Sequence, residues 1–249
     1  MNPTLRTTWT EPDLEYPETD GLPMAENTTQ FRWIVKIKEG IQAMFRGRDD
    51  VFVAGDLFWY PVKGRPDIRL APDTLVVFGC PPGDRRSYKQ WEEGGIAPHV
   101  VFEVLSPGNT TAEMRGKLEF YDRHGVQEYY VYDPDNNALQ GWLRDEDALE
   151  SIPSMDGWTS PRLRLRFLRD QETLRLIRPD GRALETYEEI DERADQAQQL
   201  AEQAERRADQ AQRLAEQADR RAEQADRRAE QLAAKLRALG IDPDDPAAP

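Results

Sequence analysis

The chain has 249 residues, with 33 Lys and Arg against 47 Asp and Glu, so its formal net charge is −14. This acidity argues against a protein that coats nucleic acid through broad positive charge. One cysteine and two histidines exclude a disulfide framework and disfavour a multi-histidine zinc site. No apolar run approaches the ~20 residues of a membrane-spanning helix, and the N-terminal residues lack the basic and apolar regions of a secretion signal, so we expect a cytoplasmic protein.

The elements of the first 185 residues predict an α+β body. Residues 1–27 are rich in Pro, Glu and Thr, and we expect them to be extended. From Thr28 the apolar residues follow helical spacing, with Asn27 or Thr28 as the N-cap. A second amphipathic helix is predicted over 111–124, closed by Gly125. The predicted strands are 51–60, 74–78, 100–105, 127–132, 138–143, 162–168 and 174–177, the last leading into a Pro-Asp-Gly turn.

Composition changes sharply after Leu184. Residues 185–249 carry 17 acidic and 10 basic residues, and no aromatic residue follows Tyr187. From Ala194 a seven-residue repeat places alanine at the first and fourth positions, which is a heptad with Ala at a and d. The repeat predicts a long helix over 188–240, with Gly240 as its C-cap and a disordered tail at 241–249. An alanine seam buries little area, so a solvated single helix, a self-associating helix and a partner-docking arm all remain open.

Three residues are candidates for chemistry. Glu103 is a lone acid inside an apolar strand, where burial is costly unless the carboxylate is paired or binds a metal. Its alternative is an edge strand whose polar face meets water. Asp73 precedes another apolar strand, although Pro-Asp is usually a turn, and Lys117 lies on the helix that follows, although most helical lysines are solvated.

Together these residues match the needs of metal-dependent phosphodiester hydrolysis. Two carboxylates and a backbone carbonyl can hold Mg²⁺, which takes oxygen ligands. The ion would polarise the phosphate, and a nearby ammonium would stabilise the charge that develops in the transition state. The two histidines, His99 and His124, are expected to be structural or surface residues. Arg162, Arg164 and Arg166 would share one strand face, either binding phosphates or simply solvated.

Six segments, in order, resemble the Uma-type restriction endonuclease family of bacteria, a branch of the PD-(D/E)XK nuclease superfamily. They are 51–56 (VFVAGD), 71–79 (APDTLVVFG), 86–94 (RSYKQWEEG), 101–107 (VFEVLSP), 117–121 (KLEFY) and 125–134 (GVQEYYVYDP). The resemblance covers roughly 28–184. Members often also carry a C-terminal Ala/Gln/Glu/Arg helical repeat that ends in LGIDP, as residues 239–243 do here.

The resemblance implies a restriction-endonuclease-like nuclease domain over 28–187, with a central mixed sheet flanked by helices. It implies Asp73 and Glu103 as metal ligands. The superfamily pattern has lysine two residues after the glutamate, but that position is Leu105 here, and Lys117 on the next helix matches the lysine of this branch. Asp56 is a further candidate ligand or water-orienting group, with a turn role as its alternative.

Two functions follow from the sequence. The first is an endonuclease that uses Mg²⁺ (or Mn²⁺) to cleave DNA through Asp73, Glu103 and Lys117. The second is a catalytically inactive nuclease fold that acts as an interaction module. In either case residues 194–236 are expected to form a homodimer or a higher homo-oligomer.

Overall fold

The computed structural model of the protein describes residues 14–19, 21 and 23–238. They form two compact units that divide between Thr186 and Tyr187. The first unit is mixed α+β, as predicted, and the second is a long helix. Among the described residues no helix has both the length and the apolar character needed to cross a membrane.

A six-stranded mixed sheet organises the first unit. Its strand order is β1-β3-β5-β6-β7-β8, in which β5 and β6 are parallel and the other pairs are antiparallel. Two small two-stranded sheets, β2-β4 and β9-β10, accompany it. The strands are β1 (Val51–Ala54), β2 (Trp59–Tyr60), β3 (Thr74–Phe78), β4 (Tyr88–Lys89), β5 (Val100–Val104), β6 (Glu128–Asp133), β7 (Ala138–Asp145), β8 (Ala148–Ser151), β9 (Arg166–Arg169) and β10 (Leu174–Ile177).

Helix α1 (Thr28–Met44) covers one face of this sheet. The side chain of Asn27 caps it by accepting a hydrogen bond from the backbone N–H of Gln30 at 2.8 Å. Its buried residues recur at helical spacing and pack against even-numbered residues of β5, together with apolar residues of β9 and β10. This face therefore forms one of the two cores of the unit.

Helix α2 (Thr111–Arg123) lies against the opposite face, capped by the side chain of Thr110. Its Tyr121 is fully buried among Val101, Tyr129 and Val131. Because successive side chains of a strand alternate between faces, odd-numbered residues of β5 point toward α2 and even-numbered ones toward α1. Both β3 and β5 are internal strands of the sheet, which agrees with their nearly continuous apolar sequences.

Two strand predictions were wrong in extent. The run 51–60 is interrupted, because Asp56 adopts a left-handed backbone conformation (φ 47°) between β1 and β2. The predicted strand 162–168 is a strand only from Arg166. Its first part is a turn, in which Arg162 donates its backbone N–H to the buried carboxylate of Glu128 at 2.7 Å and Arg164 has φ 58°. The three arginines therefore do not share one strand face.

The second unit contains α3 (Tyr187–Ala238), 52 residues or about 78 Å of helix. Its side chains are almost all exposed, and none is buried. Ion pairs within the helix, such as Glu202 with Arg206 at 3.5 Å, follow the i,i+4 spacing of the repeat. The predicted C-cap at Gly240 and the predicted disordered tail at 241–249 lie outside the described residues. So do residues 1–13, 20 and 22 of the segment 1–27 that was expected to be extended.

His99 has a structural role between β3 and β5. Its Nδ1 accepts a hydrogen bond from the backbone N–H of Phe78 at 3.1 Å, and its ring packs edge-on against the Phe78 ring. Burial, helped by the charge of Arg162, lowers the pKa of His99 from 6.5 to about 4.

Acid is expected to destabilise the protein partly through His99. Its folded-state pKa is depressed, so the stabilisation is complete above the unfolded pKa near 6.5 and is lost as pH falls toward about 4. The variant His99→Asn, which keeps an acceptor for Phe78, should lose less stability over this range. Urea unfolding at a series of pH values checks this, and equal pH slopes in both proteins would contradict it.

Candidate metal-binding active site

The strand registers bring three acidic residues into one row across the sheet. Thr74 lies opposite Phe102 in the β3–β5 pair, so one further step places Asp73 opposite Glu103. The β1–β3 ladder ends with Ala54 opposite Leu75, and Asp56, two residues beyond it, donates its backbone N–H to the carbonyl of Pro72, next to Asp73. Residues directly opposite each other in antiparallel strands have Cβ atoms about 4.5–5.5 Å apart on the same face. Asp73 and Glu103 therefore share the face that α2 covers.

Glu103 is buried, with a side-chain exposure of 2%, and both of its carboxylate oxygens are engaged. Lys117 donates to Oε2 from Nζ at 2.9 Å, and the hydroxyl of Tyr121 donates to Oε1. Lys117 and Tyr121 are four residues apart and lie on one face of α2. The interior position of β5 excludes the edge-strand alternative for Glu103.

Asp73 meets the end of β5 from the neighbouring strand. Its Oδ2 accepts a hydrogen bond from the backbone N–H of Val104 at 2.6 Å. Its other oxygen, Oδ1, makes no hydrogen bond or ion pair with the part of the chain that the structure describes. Burial, and then the adjacent charge of Glu103, raise the pKa of Asp73 well above its usual 3.8.

Lys117 is the cation of this cluster. Burial lowers its pKa, but the charge of Glu103 and the hydrogen bond to it outweigh that effect, so the pKa of Lys117 is raised overall. The ammonium therefore stays protonated, although only 19% of the side chain is exposed. A fixed positive charge beside two carboxylates leaves the group with a net charge of −1 when both acids are ionised.

Asp56 stands apart from the other predicted residues. Its side chain is exposed, and its backbone N–H donates to the Pro72 carbonyl at 3.0 Å. Its charge adds a small upward contribution to the pKa of Asp73. The structure thus brings Asp73, Glu103 and Lys117 together and places Asp56 at the exposed end of the same row.

Two supporting residues were missed in the sequence. Tyr121 holds Glu103 from a buried position, and its spacing of four from Lys117 on an amphipathic helix could have indicated it. Gln30, buried on α1, donates from Nε2 to the Val104 carbonyl at 2.9 Å, across the sheet from the acids. A polar residue within the apolar stripe of α1 was the signal for Gln30.

The donor set fits a small oxygen-preferring cation. Mg²⁺ typically binds through one or two carboxylates and completes its shell with water and substrate phosphate oxygens. Asp73 and Glu103 supply the two carboxylates, and Oδ1 of Asp73 is available as a donor. Within the described ranges no group of three or more His, Cys, Asp or Glu residues is arranged to hold a metal ion.

Comparisons with known proteins match the chain to one family. The profile of the family described as "Uma2: Putative restriction endonuclease" matches residues 11–208, well over half of the chain. A crystal structure of "a putative nuclease belonging to DUF820" from Anabaena variabilis ATCC 29413 is 17% identical. That match covers 56% of this chain and 74% of the other with a TM-score of 0.39, too low to carry an argument. A comparison with curated proteins gives no match.

The like charges of this site are expected to cost stability. Asp73→Asn keeps an acceptor for the Val104 N–H but removes the charge, and should raise the free energy of unfolding at neutral pH by about 1 kcal/mol. Since the folded-state pKa of Asp73 is raised, the wild type loses stability as pH rises through that pKa, and the advantage of the variant should shrink in acid.

Urea unfolding of both proteins between acid and neutral pH measures this difference. The matched control is Asp156→Asn on an exposed loop, which should change stability little. A neutral-pH loss of stability in Asp73→Asn would show that the charge of Asp73 is well compensated in the folded protein.

Proposed function

The chain belongs to the Uma2 family of restriction endonucleases, and from that premise we propose that it is an endonuclease that uses Mg²⁺ (or Mn²⁺) to hydrolyse the phosphodiester bonds of DNA. The observation that carries this proposal is the pairing of two carboxylates from adjacent strands, Asp73 and Glu103, with a lysine ammonium 2.9 Å from Glu103. A buried acid pair of this kind raises the free energy of the folded protein unless something positive balances it.

Each residue of the site would have a separate role in catalysis. Asp73 and Glu103 would hold the ion, which when bound supplies Lewis-acid polarisation of the phosphate. Lys117 would place its positive charge against the non-bridging phosphate oxygens as negative charge develops on them. Tyr121 would keep the Glu103 carboxylate in one orientation, since its hydroxyl donates to Oε1. Val104 fixes Asp73 through its backbone N–H.

The net charge of −14 shapes how DNA could be held. Broad electrostatic attraction is weak for such a chain, since phosphate binding is driven by clustered positive charge. A divalent ion bound by Asp73 and Glu103 would convert this acidic cluster into one that attracts phosphate. Recognition would therefore concentrate at the site itself.

A second function, an interaction module, is favoured by the pattern of α3. With Ala194 at position a, every b position from 195 to 230 is acidic and the f positions 206, 213, 220 and 227 are arginine. These charges can pair within one helix, as Glu223 and Arg227 do at 4.0 Å. The alanine seam remains exposed in the single chain, and we propose that residues 194–236 form a homodimer through it.

The charges beside the seam favour parallel helices. Positions e carry Glu205, Asp219 and Asp226, whereas positions g carry arginine, lysine or leucine. In a parallel pair g residues face e residues of the partner helix, which sets Arg221 against the partner's Asp226. An antiparallel pair would instead set acids beside acids and arginines beside arginines.

Cleavage should depend on Glu103. Glu103→Gln, which keeps the shape of the side chain, and Glu103→Ala should each lower Mg²⁺-dependent cleavage of plasmid DNA at least about 100-fold, because a ligand and the partner of Lys117 are lost. EDTA should have the same effect on the wild type.

The control for this experiment is Glu119→Gln, an exposed acid on the same helix, which should cleave at the wild-type rate. Circular dichroism should show that each variant is folded. Undiminished cleavage by folded Glu103→Gln would refute the assigned role, and an inactive wild type would favour the interaction module.

Association should depend on α3. Deleting 188–249 should leave the first unit folded and reduce the mass measured by light scattering to that of a monomer, and an unchanged mass would reject association through the heptads. Ala208→Cys should form an intermolecular disulfide under mild oxidation, because equivalent a positions of parallel helices lie within the Cα separation of about 4.4–6.8 Å that a disulfide requires.

The native Cys80 is buried in the first unit and should not compete. In an antiparallel pair, a positions face d positions of the other helix, so with 197–236 aligned Ala208 would instead face Ala225. Crosslinking only in a mixture of Ala208→Cys and Ala225→Cys chains would therefore contradict the parallel arrangement.

A further inference from the structure

A cleft lies beside the carboxylate row, between the first half of α2 and strands β6 and β7. Its volume is about 360 Å³, within the range of small-molecule sites. On its floor Val131 lies opposite Glu103, and Gln140 lies opposite Val131. Since neighbouring strands are about 4.8 Å apart, the floor extends from roughly 5 to 10 Å from the Glu103 backbone. The cleft floor thus lies on the same face of the sheet as Glu103, one to two strands away, although neither Asp73 nor Glu103 lines the cleft.

The lining of this cleft is flat and apolar at its base. The rings of Tyr129 and Trp142 are stacked, with centroids 5.2 Å apart and an interplanar angle of 23°. Met114 and Leu118, four residues apart on α2, form the facing wall. An aromatic platform opposite an aliphatic wall suits a thin planar ring, and base stacking on aromatic side chains is largely independent of base identity.

The rim of the cleft carries neutral hydrogen-bonding groups and one cation. Asn109, Thr110 and Gln140 offer amide and hydroxyl groups, and Arg115 is the charged residue. No aspartate or glutamate lines it, although the whole chain carries 47 of them. Because no carboxylate lines the cleft, nothing in it repels a DNA phosphate. The cleft is therefore suited to a neutral base that is attached to an anionic backbone.

We propose that this cleft binds one unpaired nucleobase of the DNA strand, next to the phosphate held at Asp73 and Glu103. A base within a duplex is stacked and paired, so it can enter only from single-stranded DNA or after flipping out of the helix. The substrate class is therefore DNA with an unpaired nucleotide at the cleavage position. This inference rests on the proposed nuclease function for the position of the phosphate.

Proximity to the carboxylate row argues for a base rather than another apolar ligand. The cleft floor lies one or two strands, roughly 5 to 10 Å, from Glu103, so a base in the cleft could belong to the same strand as a phosphate held at the acids.

The test is an abasic scan on the full-length wild-type chain. The probe is a fluorescein-labelled single strand of about 12 nucleotides, a length within known single-strand site sizes, with Ca²⁺ in place of Mg²⁺ to limit cleavage. One base at a time is removed, and the Kd is measured by anisotropy. We expect one position at which removal weakens binding roughly 5- to 150-fold, the range of base stacking on aromatic side chains.

Variants at Trp142 then locate the effect. Trp142→Leu should weaken binding of the intact strand by a similar factor and remove the dependence on that position, whereas Trp142→Phe, which keeps a ring, should retain both. A flat abasic scan, or no binding of the intact strand, overturns the proposal even if Trp142→Leu fails to fold. So does a position dependence that persists unchanged in folded Trp142→Leu.

The outcome is separable from that of the proposed function. Cleavage that requires Mg²⁺ and Glu103, combined with a flat scan, would leave the nuclease standing and reject the base site. A single sensitive position that depends on Trp142, without cleavage by the wild type, would support the base site and reject the nuclease.

Discussion

The arrangement of the first unit depends on one buried carboxylate. Glu103 lies on an internal strand among Val101, Phe102 and Val104, all of which are buried. An ionised group in such a place carries a desolvation penalty of several kcal/mol unless it is paired. Lys117 and Tyr121 provide the pairing, and both come from α2. The position of α2 on the sheet is therefore tied to the charge of one residue of β5.

The second carboxylate leaves the same region with a negative charge that is not fully balanced. Asp73 reaches the end of β5 from β3 and adds a negative charge that Lys117, already paired with Glu103, balances only in part. A fold selected for stability alone would replace one of these acids by a neutral residue. Under the proposed function this excess charge would help to hold a divalent cation, and the cleft beside it would hold a base of the substrate strand.

Much of this arrangement could be predicted from the sequence, because the signals were local. An apolar run interrupted by Glu103 and an amphipathic helix carrying Lys117 identified the elements, and the strands β3 and β5 follow from continuous apolar residues. The row of acids could not be derived in this way, since it depends on the register between strands that are distant in sequence. The same holds for Gln30, which reaches β5 from 74 residues away.

The wrong strand at 162–168 shows the limit of periodicity. Its alternation of arginine and leucine does give alternating exposure, yet the backbone turns, because the Arg162 N–H is taken by Glu128 instead of a neighbouring strand. The hydrogen bond between a loop N–H and a buried carboxylate is a tertiary contact, which a local sequence pattern does not predict. Glu128 and Glu103 are both buried acids in strands, but Glu128 is satisfied by hydroxyl and backbone donors and has no lysine. That difference separates a structural acid from a candidate ligand.

The central claim is that Asp73 and Glu103 together bind one divalent cation, and calorimetric titration of the full-length chain with Mn²⁺ tests it most directly. The account predicts one saturable site in the wild type and in Glu119→Gln, which is lost in both Asp73→Asn and Glu103→Gln. Wild-type affinity for Mn²⁺ in either of those two folded variants would contradict it.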